Sequence, residues 1–258
     1  MGDASALDIF EDALFAVFEH HQPARGDPGA SAVYEHAQLP DWCVVDGRRA
    51  IPYRIASLSS ANTKLFAHYQ WDAGVHLADL IVEHTSARDG SAADVHGKCV
   101  VELGAGTAVP SLVSAALGAA MTVATDYPDA DVLQNMAHNA AVLAALPRAP
   151  TLALRTAGLQ WGAAGDEQRV AQSSVHAGAY ELVIAADVLW VSSQHEALLH
   201  SVEALLARRE GARFVLVVGF HTGRPAITRF LRRAYASGLV PDVDAEYGGV
   251  VCAGRRGG

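Results

Sequence analysis

Residues 100–109, "VVELGAGTAV", place an acid and two glycines at the end of an apolar, β-rich run. How this stretch is read decides the fold. Around it the chain alternates. "KCVVEL" (98–103), "AVPSLVSAAL" (108–117), "MTVAT" (121–125), "DADVLQNMAHNAAVLAAL" (129–146) and "TLALRT" (151–156) read as strand, helix, strand, helix, strand. A polar, glycine-containing stretch, 162–179, reads as a loop. The rhythm then resumes: "ELVIAADVLW" (181–190) as a strand, "SQHEALLHSVEALLARR" (193–209) as an amphipathic helix, "RFVLVVGF" (213–220) as a buried strand and "PAITRFLRRAYASG" (225–238) as a helix. Continuous apolar strands such as Phe214 to Val218 need cover on both faces. The expectation is an α/β fold with a doubly wound sheet. "DVDAEYGGVVCAG" (242–254), split by Gly248 and Gly249, predicts a terminal hairpin at the sheet edge.

The first 67 residues lack this rhythm. Ile9, Leu14, Phe15 and Phe18 have the spacing of an amphipathic helix, followed by a Pro/Gly-containing connection over 22–30 and strands around "WCVVDG" (42–47) and "IPYRIAS" (51–57). We read 1–67 as an N-terminal addition packing on a core domain, 68–258.

With 258 residues, 51% hydrophobic and 18% charged, the chain suits one or at most two globular domains with a sizeable core. A formal charge of -9 disfavours binding to a phosphate backbone, so no nucleic acid partner is expected, and an acidic surface favours a basic partner. Cys43, Cys99 and Cys252 are widely spaced without a C-x-x-C pair, which suggests neither a disulfide framework nor a zinc site. No metal is expected at the histidines either, since His195 and His200 have no acid or cysteine at ligand spacing. Leu103 to Thr125 carries no charge until Asp126, but Gly104, Gly106, Pro110 and Gly118 break it into loop, helix, turn and strand rather than a membrane span. The acidic start, "MGDASALDIFEDALF", is unlike a signal or transit peptide, and the expected location is cytoplasmic.

In a doubly wound sheet the loop after the first strand lies at the carboxyl edge, where a helix N-terminus offers N–H groups to a ligand. A dinucleotide fingerprint needs a third glycine where this chain has Val109, and Glu102 stands two residues before Gly104. A pyrophosphate is repelled by a carboxylate there, whereas the ammonium and sulfonium of S-adenosylmethionine (SAM) are attracted. Asp126, at the end of the next strand and about 20 residues on, suits the two hydroxyls of an adenosine ribose. An NAD site uses such an acid too, so it is Glu102 and Val109 that favour SAM.

"FAHYQWDAG" (66–74), "VVELGAGTAVPSL" (100–112), "VATDYPDADVLQNMAHN" (123–139), "GLQWG" (158–162) and "AADVLW" (185–190) occur in that order, and "GFHTGRP" (219–225) follows. Together they resemble the seven-β-strand SAM methyltransferases of the protein-lysine methyltransferase group. The likeness is to the fungal nicotinamide N-methyltransferase-like branch, which includes enzymes methylating the N-terminus and a lysine of elongation factor 1-alpha. The resemblance implies strand order 3-2-1-4-5-7-6 with an antiparallel seventh strand. It implies Trp71 near the SAM carboxylate, Glu102, Gly104, Ala105 and Gly106 around its amino acid part, Asp126 on the ribose with Tyr127 over it, Trp161 beside the adenine and Ala186 against the cofactor. Asp187 and Trp190, in "D-V-L-W", fall beside the methyl-transfer point as the catalytic pair; relatives acting on lysine usually have D-x-x-Y. Asp187 would orient an amine, and Trp190 would hold its cationic form by cation–π contact. His221 is a candidate base. The acceptor implied is a protein amine, with a small-molecule amine as the alternative, and a SAM-binding interaction protein without turnover as the other.

Overall fold

The computed structural model describes residues 24–58, 66–88, 90–176, 178–219, 223–241 and 250–255. The chain opens with β1 (Ala24–Arg25), β2 (Ser31–Glu35), β3 (Val44–Val45), β4 (Arg48–Arg54) and β5 (Gln70–Trp71), then α1 (Asp72–Ala87). The alternation follows as β6 (Cys99–Leu103), α2 (Val109–Ala116), β7 (Met121–Asp126), α3 (Ala130–Ala144), β8 (Leu154–Gly158), α4 (Ala164–Ser173) and β9 (Leu182–Ala186). It closes with α5 (His195–Leu205), β10 (Arg213–Val217), α6 (Arg224–Ala236), β11 (Leu239–Pro241) and β12 (Val250–Arg255).

The central sheet has seven strands in the order β11-β12-β10-β9-β6-β7-β8. Counted from β6 as the first strand and read from the other edge, this is 3-2-1-4-5-7-6. The β6, β7, β8, β9 and β10 pairings are parallel, and β12 runs antiparallel to both neighbours. The last strand is thus inserted between β11 and β10 instead of ending the sheet at its rim. Gly248 and Gly249, and the helix expected around Ile9 to Phe18, lie outside the described residues.

The apolar strands divide their side chains between two layers, as period-2 alternation requires. Val101, Leu103, Val183, Phe214 and Leu216 face α5 and α6, meeting Leu198, Val202, Ile227 and Phe230. Val100, Leu182, Ile184, Val215 and Val217 face the other layer, meeting Leu77 and Ile81 of α1 and Leu112 and Val113 of α2. The small sheet β2-β4-β3 joins this second layer through Tyr34, Ile51 and Tyr53.

The stretch 162–179 is not a plain loop, because α4 lies within it. Only Glu167 and Val170 of α4 are buried, so the sequence carries almost no apolar period. What holds the helix is polar. Glu167 accepts hydrogen bonds from Ser201 Oγ (2.7 Å) and pairs with His200 (2.9 Å), both on α5. Strand β8 (Leu154–Gly158) begins and ends later than "TLALRT" (151–156) suggested, and β9 stops at Ala186, leaving "DVLW" outside the ladder. No described helix is long and apolar enough to cross a membrane.

Helix α3 begins at Asp129, whose carboxylate accepts from the N–H groups of Asp131 (3.0 Å) and Val132 (3.2 Å). Asp129→Ala should therefore cost about 1 kcal/mol, a fall of roughly 2–4 °C in the thermal unfolding midpoint for a chain of this size; differential scanning calorimetry measures it.

Candidate functional site

The parallel register sets Leu103 beside Thr125, so the loop after β6 emerges next to the end of β7. Three backbone contacts fix it there. Ala105 N–H donates to the Thr125 carbonyl (2.9 Å), Gly106 N–H to Asp126 Oδ2 (2.7 Å), and Tyr127 N–H to Asp126 Oδ1 (2.7 Å). The two glycines are needed for different reasons. A Cβ at Gly104 (φ +72°) would stand 2.8 Å from Val188 Cγ1 and 3.3 Å from Trp161 Cζ2, whereas a Cβ at Gly106 (φ +52°) would meet no protein atom within 4 Å. Gly104 makes room for the protein itself, and Gly106 leaves space open.

That space is a cavity of about 450 Å³ at the carboxyl ends of β6, β7 and β9. Of the residues singled out in the sequence, Trp71, Gly104, Gly106, Asp126 and Tyr127 line it. Trp161, Ala186, Asp187 and Trp190 line it as well. Glu102 and Ala105 are not among the lining residues.

Glu102 lies beneath the loop. Its Oε2 accepts from Ser111 N–H (3.0 Å) and Ser111 Oγ (2.5 Å), tying the end of β6 to the first turn of α2. Burial pushes its carboxyl up to about 8, the Ser111 hydrogen bonds oppose this, and nearby Asp126 adds to the rise. In this structure the Glu102 carboxyl group is bound to Ser111 rather than set in the cavity lining. Asp126 is raised less, to about 6, because burial is opposed by the Gly106 and Tyr127 N–H groups. It is the acid of this pair that is ionised at neutral pH.

Part of the lining is aromatic. The Phe66 and Trp190 rings meet edge-to-face at 4.9 Å, and Trp71 stands edge-on to Phe66 at 6.3 Å while its indole N–H donates to the Phe66 carbonyl (3.0 Å). Asp187 lies beside this wall with a left-handed backbone (φ 55°). Its N–H donates to the Val217 carbonyl (2.8 Å) and its Oδ1 accepts from Gly219 N–H (3.1 Å), so β10 holds it in place. Sequence reasoning missed Phe66, Leu159, Gln160 and Gln194, which also line the cavity. Phe66 begins the "FAHYQWDAG" motif, and that was the available signal.

His221 lies outside the described residues. His195 is a core residue, its Nε2 3.0 Å from the Leu189 carbonyl and its ring edge-on to Phe230. Cys99, His176 and Glu181 bring possible ligand atoms within 4.8 Å of one another at the start of β6, away from the cavity. There the Glu181 carboxylate already accepts from Cys99 N–H (2.8 Å), pairs with His176 (2.6 Å) and binds the Arg209 guanidinium, a cation where a metal would compete.

A seven-stranded sheet of this order, with a glycine loop and an acid at adjacent strand ends, has the architecture of the Rossmann-like class I methyltransferases. Residues 57–235 match a family model described as lysine methyltransferase, and the chain belongs to that family. Among similar proteins is the protein N-terminal and lysine N-methyltransferase EFM7 of Yarrowia lipolytica, 36% identical over 160 residues, 57% of this chain and 55% of that protein. The EFM7 protein of Eremothecium gossypii is 33% identical over 207 residues, 78% of this chain and 73% of that one. For Candida glabrata EFM7 the figures are 29% over 248 residues, 94% and 88%. The chain thus spans little more than half the length of the Yarrowia protein. A solved structure from Streptococcus mutans, assigned provisionally as a SAM-dependent methyltransferase, shares the fold with a TM-score of 0.50 and 12% identity, over 79% of this chain and 52% of that one.

The buried Glu102 makes stability depend on pH in a defined direction. Its folded value, about 8, lies above the ordinary 4.5, so the unfolded chain releases this proton first and the fold loses stability as pH rises through that interval. Glu102→Gln keeps an acceptor for Ser111 and has no proton to lose. Chemical denaturation of both proteins at pH 5, 6, 7 and 8 should show the variant gaining on the parent across that range (about 4.5 to 8).

Proposed function

We propose that this protein is a SAM-dependent N-methyltransferase acting on a protein lysine or N-terminal amine. The observation that carries the reading is one cavity with two unlike walls: an open glycine loop beside an ionised acid, and an aromatic cluster beside Asp187. The residues fit SAM on the first wall. Gly106 leaves room for a ligand against the backbone, and each Asp126 oxygen, already accepting one N–H, has a further lone pair for a ribose hydroxyl. Trp161 and Tyr127 offer flat faces beside it. When bound, SAM supplies a methyl group activated by the sulfonium.

On the second wall, the chain's own groups prepare the acceptor. Asp187 accepts a hydrogen bond from the amine and directs its lone pair toward the methyl carbon. Phe66 and Trp190 bind the cationic amine and its methylated product and keep water away from the transfer point. An ammonium has no lone pair, so the amine would give up one proton to solvent before transfer; the methyl group would then pass from sulfur to nitrogen, leaving a methylated ammonium and a neutral thioether. Proximity and alignment provide most of the rate, with no covalent link to the enzyme.

The names of the relatives, protein N-terminal and lysine N-methyltransferases, support a protein acceptor. Elongation factor 1-alpha is the acceptor we favour, on the resemblance to its methyltransferase branch. The charge of -9 suits a basic partner in the cytoplasm.

The test is methylation of recombinant elongation factor 1-alpha, read by intact-mass spectrometry, with SAM affinity measured by calorimetry. Asp126→Ala should weaken SAM binding by about 1.5–3 kcal/mol, roughly ten- to a hundredfold, and methylation with it. Asp187→Ala should cut methylation at least tenfold while SAM affinity stays within about twofold, since it faces the acceptor and not the donor. Methylation should also slow as salt rises above physiological ionic strength, where screening falls below about 8 Å. SAM binding without methylation of the elongation factor would move the reading to a small-molecule amine.

A further inference from the structure

The small N-terminal sheet reaches the cavity through buried polar side chains. Asn135 and Asn139 share one face of α3 and are 2% and 0% exposed. Asn139 uses its whole carboxamide. Its Oδ1 accepts from Arg54 N–H (2.8 Å), and its two amide hydrogens go to the carbonyls of Arg54 (2.9 Å) and Thr107 (2.9 Å). Asn135 donates to the same Arg54 carbonyl (2.8 Å) and accepts from Arg54 Nε (3.0 Å). Arg54 ends β4, and Thr107 ends the glycine loop.

The connection continues from Thr107. Its hydroxyl donates to Gln70 Oε1, and Gln70 Nε2 donates to the Trp71 carbonyl (2.8 Å). Gln70 and Thr107 are both buried. Gly74 belongs to the same arrangement: a Cβ there would stand 2.8 Å from Gln70 Nε2. The glycine of "WDAG" is thus space for the Gln70 amide. Immediately after Thr107, Ala108 adopts φ 63°, a left-handed turn without a glycine, held on one side by the Asn139 bond to the Thr107 carbonyl.

From this we infer that Asn139, Thr107 and Gln70 are positioning residues, forming a relay that holds the glycine loop and Trp71 at the spacing the donor requires. They touch neither donor nor acceptor. They act through Gly106 and Trp71, which both line the cavity. Apolar packing would allow the loop and β5 to slide; a fully satisfied buried network has one geometry. The inference rests on the reading of the cavity as a SAM site.

Calorimetric titration with S-adenosylhomocysteine separates the two. The wild-type protein is measured first, and failure to bind would remove the SAM reading and this inference with it. Given wild-type binding, Thr107→Val, which strands Gln70 Oε1 without its donor, should weaken affinity roughly tenfold. Thr107→Ser restores the hydroxyl and should bring affinity back to within about threefold of wild type. Gly74→Ala should resemble Thr107→Val even though alanine favours a helix over glycine. Thr85→Val is the control for mere loss of stability: Thr85 Oγ1 accepts from Val95 N–H (3.1 Å) in the core and has no link to the relay. It should lower the unfolding midpoint and leave affinity unchanged. Unchanged affinity in Thr107→Val, an unrescued Thr107→Ser, or an equal loss in Thr85→Val would each overturn the inference.

Discussion

The site depends on the parallel register of β6 and β7. Once Leu103 lies opposite Thr125, the loop leaving β6 has to pass the end of β7, and its N–H groups come within reach of Asp126. Removing a carboxylate from water is costly unless donors replace the water. The loop provides those donors, so the same bond that shapes the cavity also keeps Asp126 ionised at neutral pH. One strand position away, Glu102 receives its hydrogen bonds from a serine and is raised further, to about 8. Two acids near adjacent strand ends repel each other, and their surroundings separate them: Glu102 is bound by Ser111, and Asp126 by the N–H groups of Gly106 and Tyr127.

Much of this was legible from residue order. The apolar strands are buried on both faces, so their runs stand out, and β6, α2, β7 and α3 fall close to where periodicity put them. Asp126 was legible because strand length and loop length together fix the distance from the glycines. The direction of Glu102 was not. A side chain at the end of a strand can point toward the loop or under it, and the choice here is made by Ser111, nine residues on. Helix α4 was hidden for a different reason: its anchor is a glutamate bound to a serine and a histidine on α5, a contact without a local sequence period. Phe66 was missed as a site residue because its ring reaches Trp190 only through the fold.

The aromatic wall and the glycine wall differ in what holds them. The glycine loop is fixed by hydrogen bonds to β7 and to Asn139, which tolerate little displacement. The rings of Phe66, Trp71 and Trp190 meet through edge contacts, which have broader geometry.

The left-handed backbone at Asp187 has an evolutionary meaning. Glycine, asparagine and aspartate are the residues that occupy such a conformation with least strain. Of these, aspartate alone has an ionisable side chain, and asparagine has nearly its shape. A single substitution at this position can exchange an acidic wall for a neutral one while the chain path through Val217 and Gly219 stays as it is. The fold thus offers a short route between a charged and an uncharged lining of the cavity at this point.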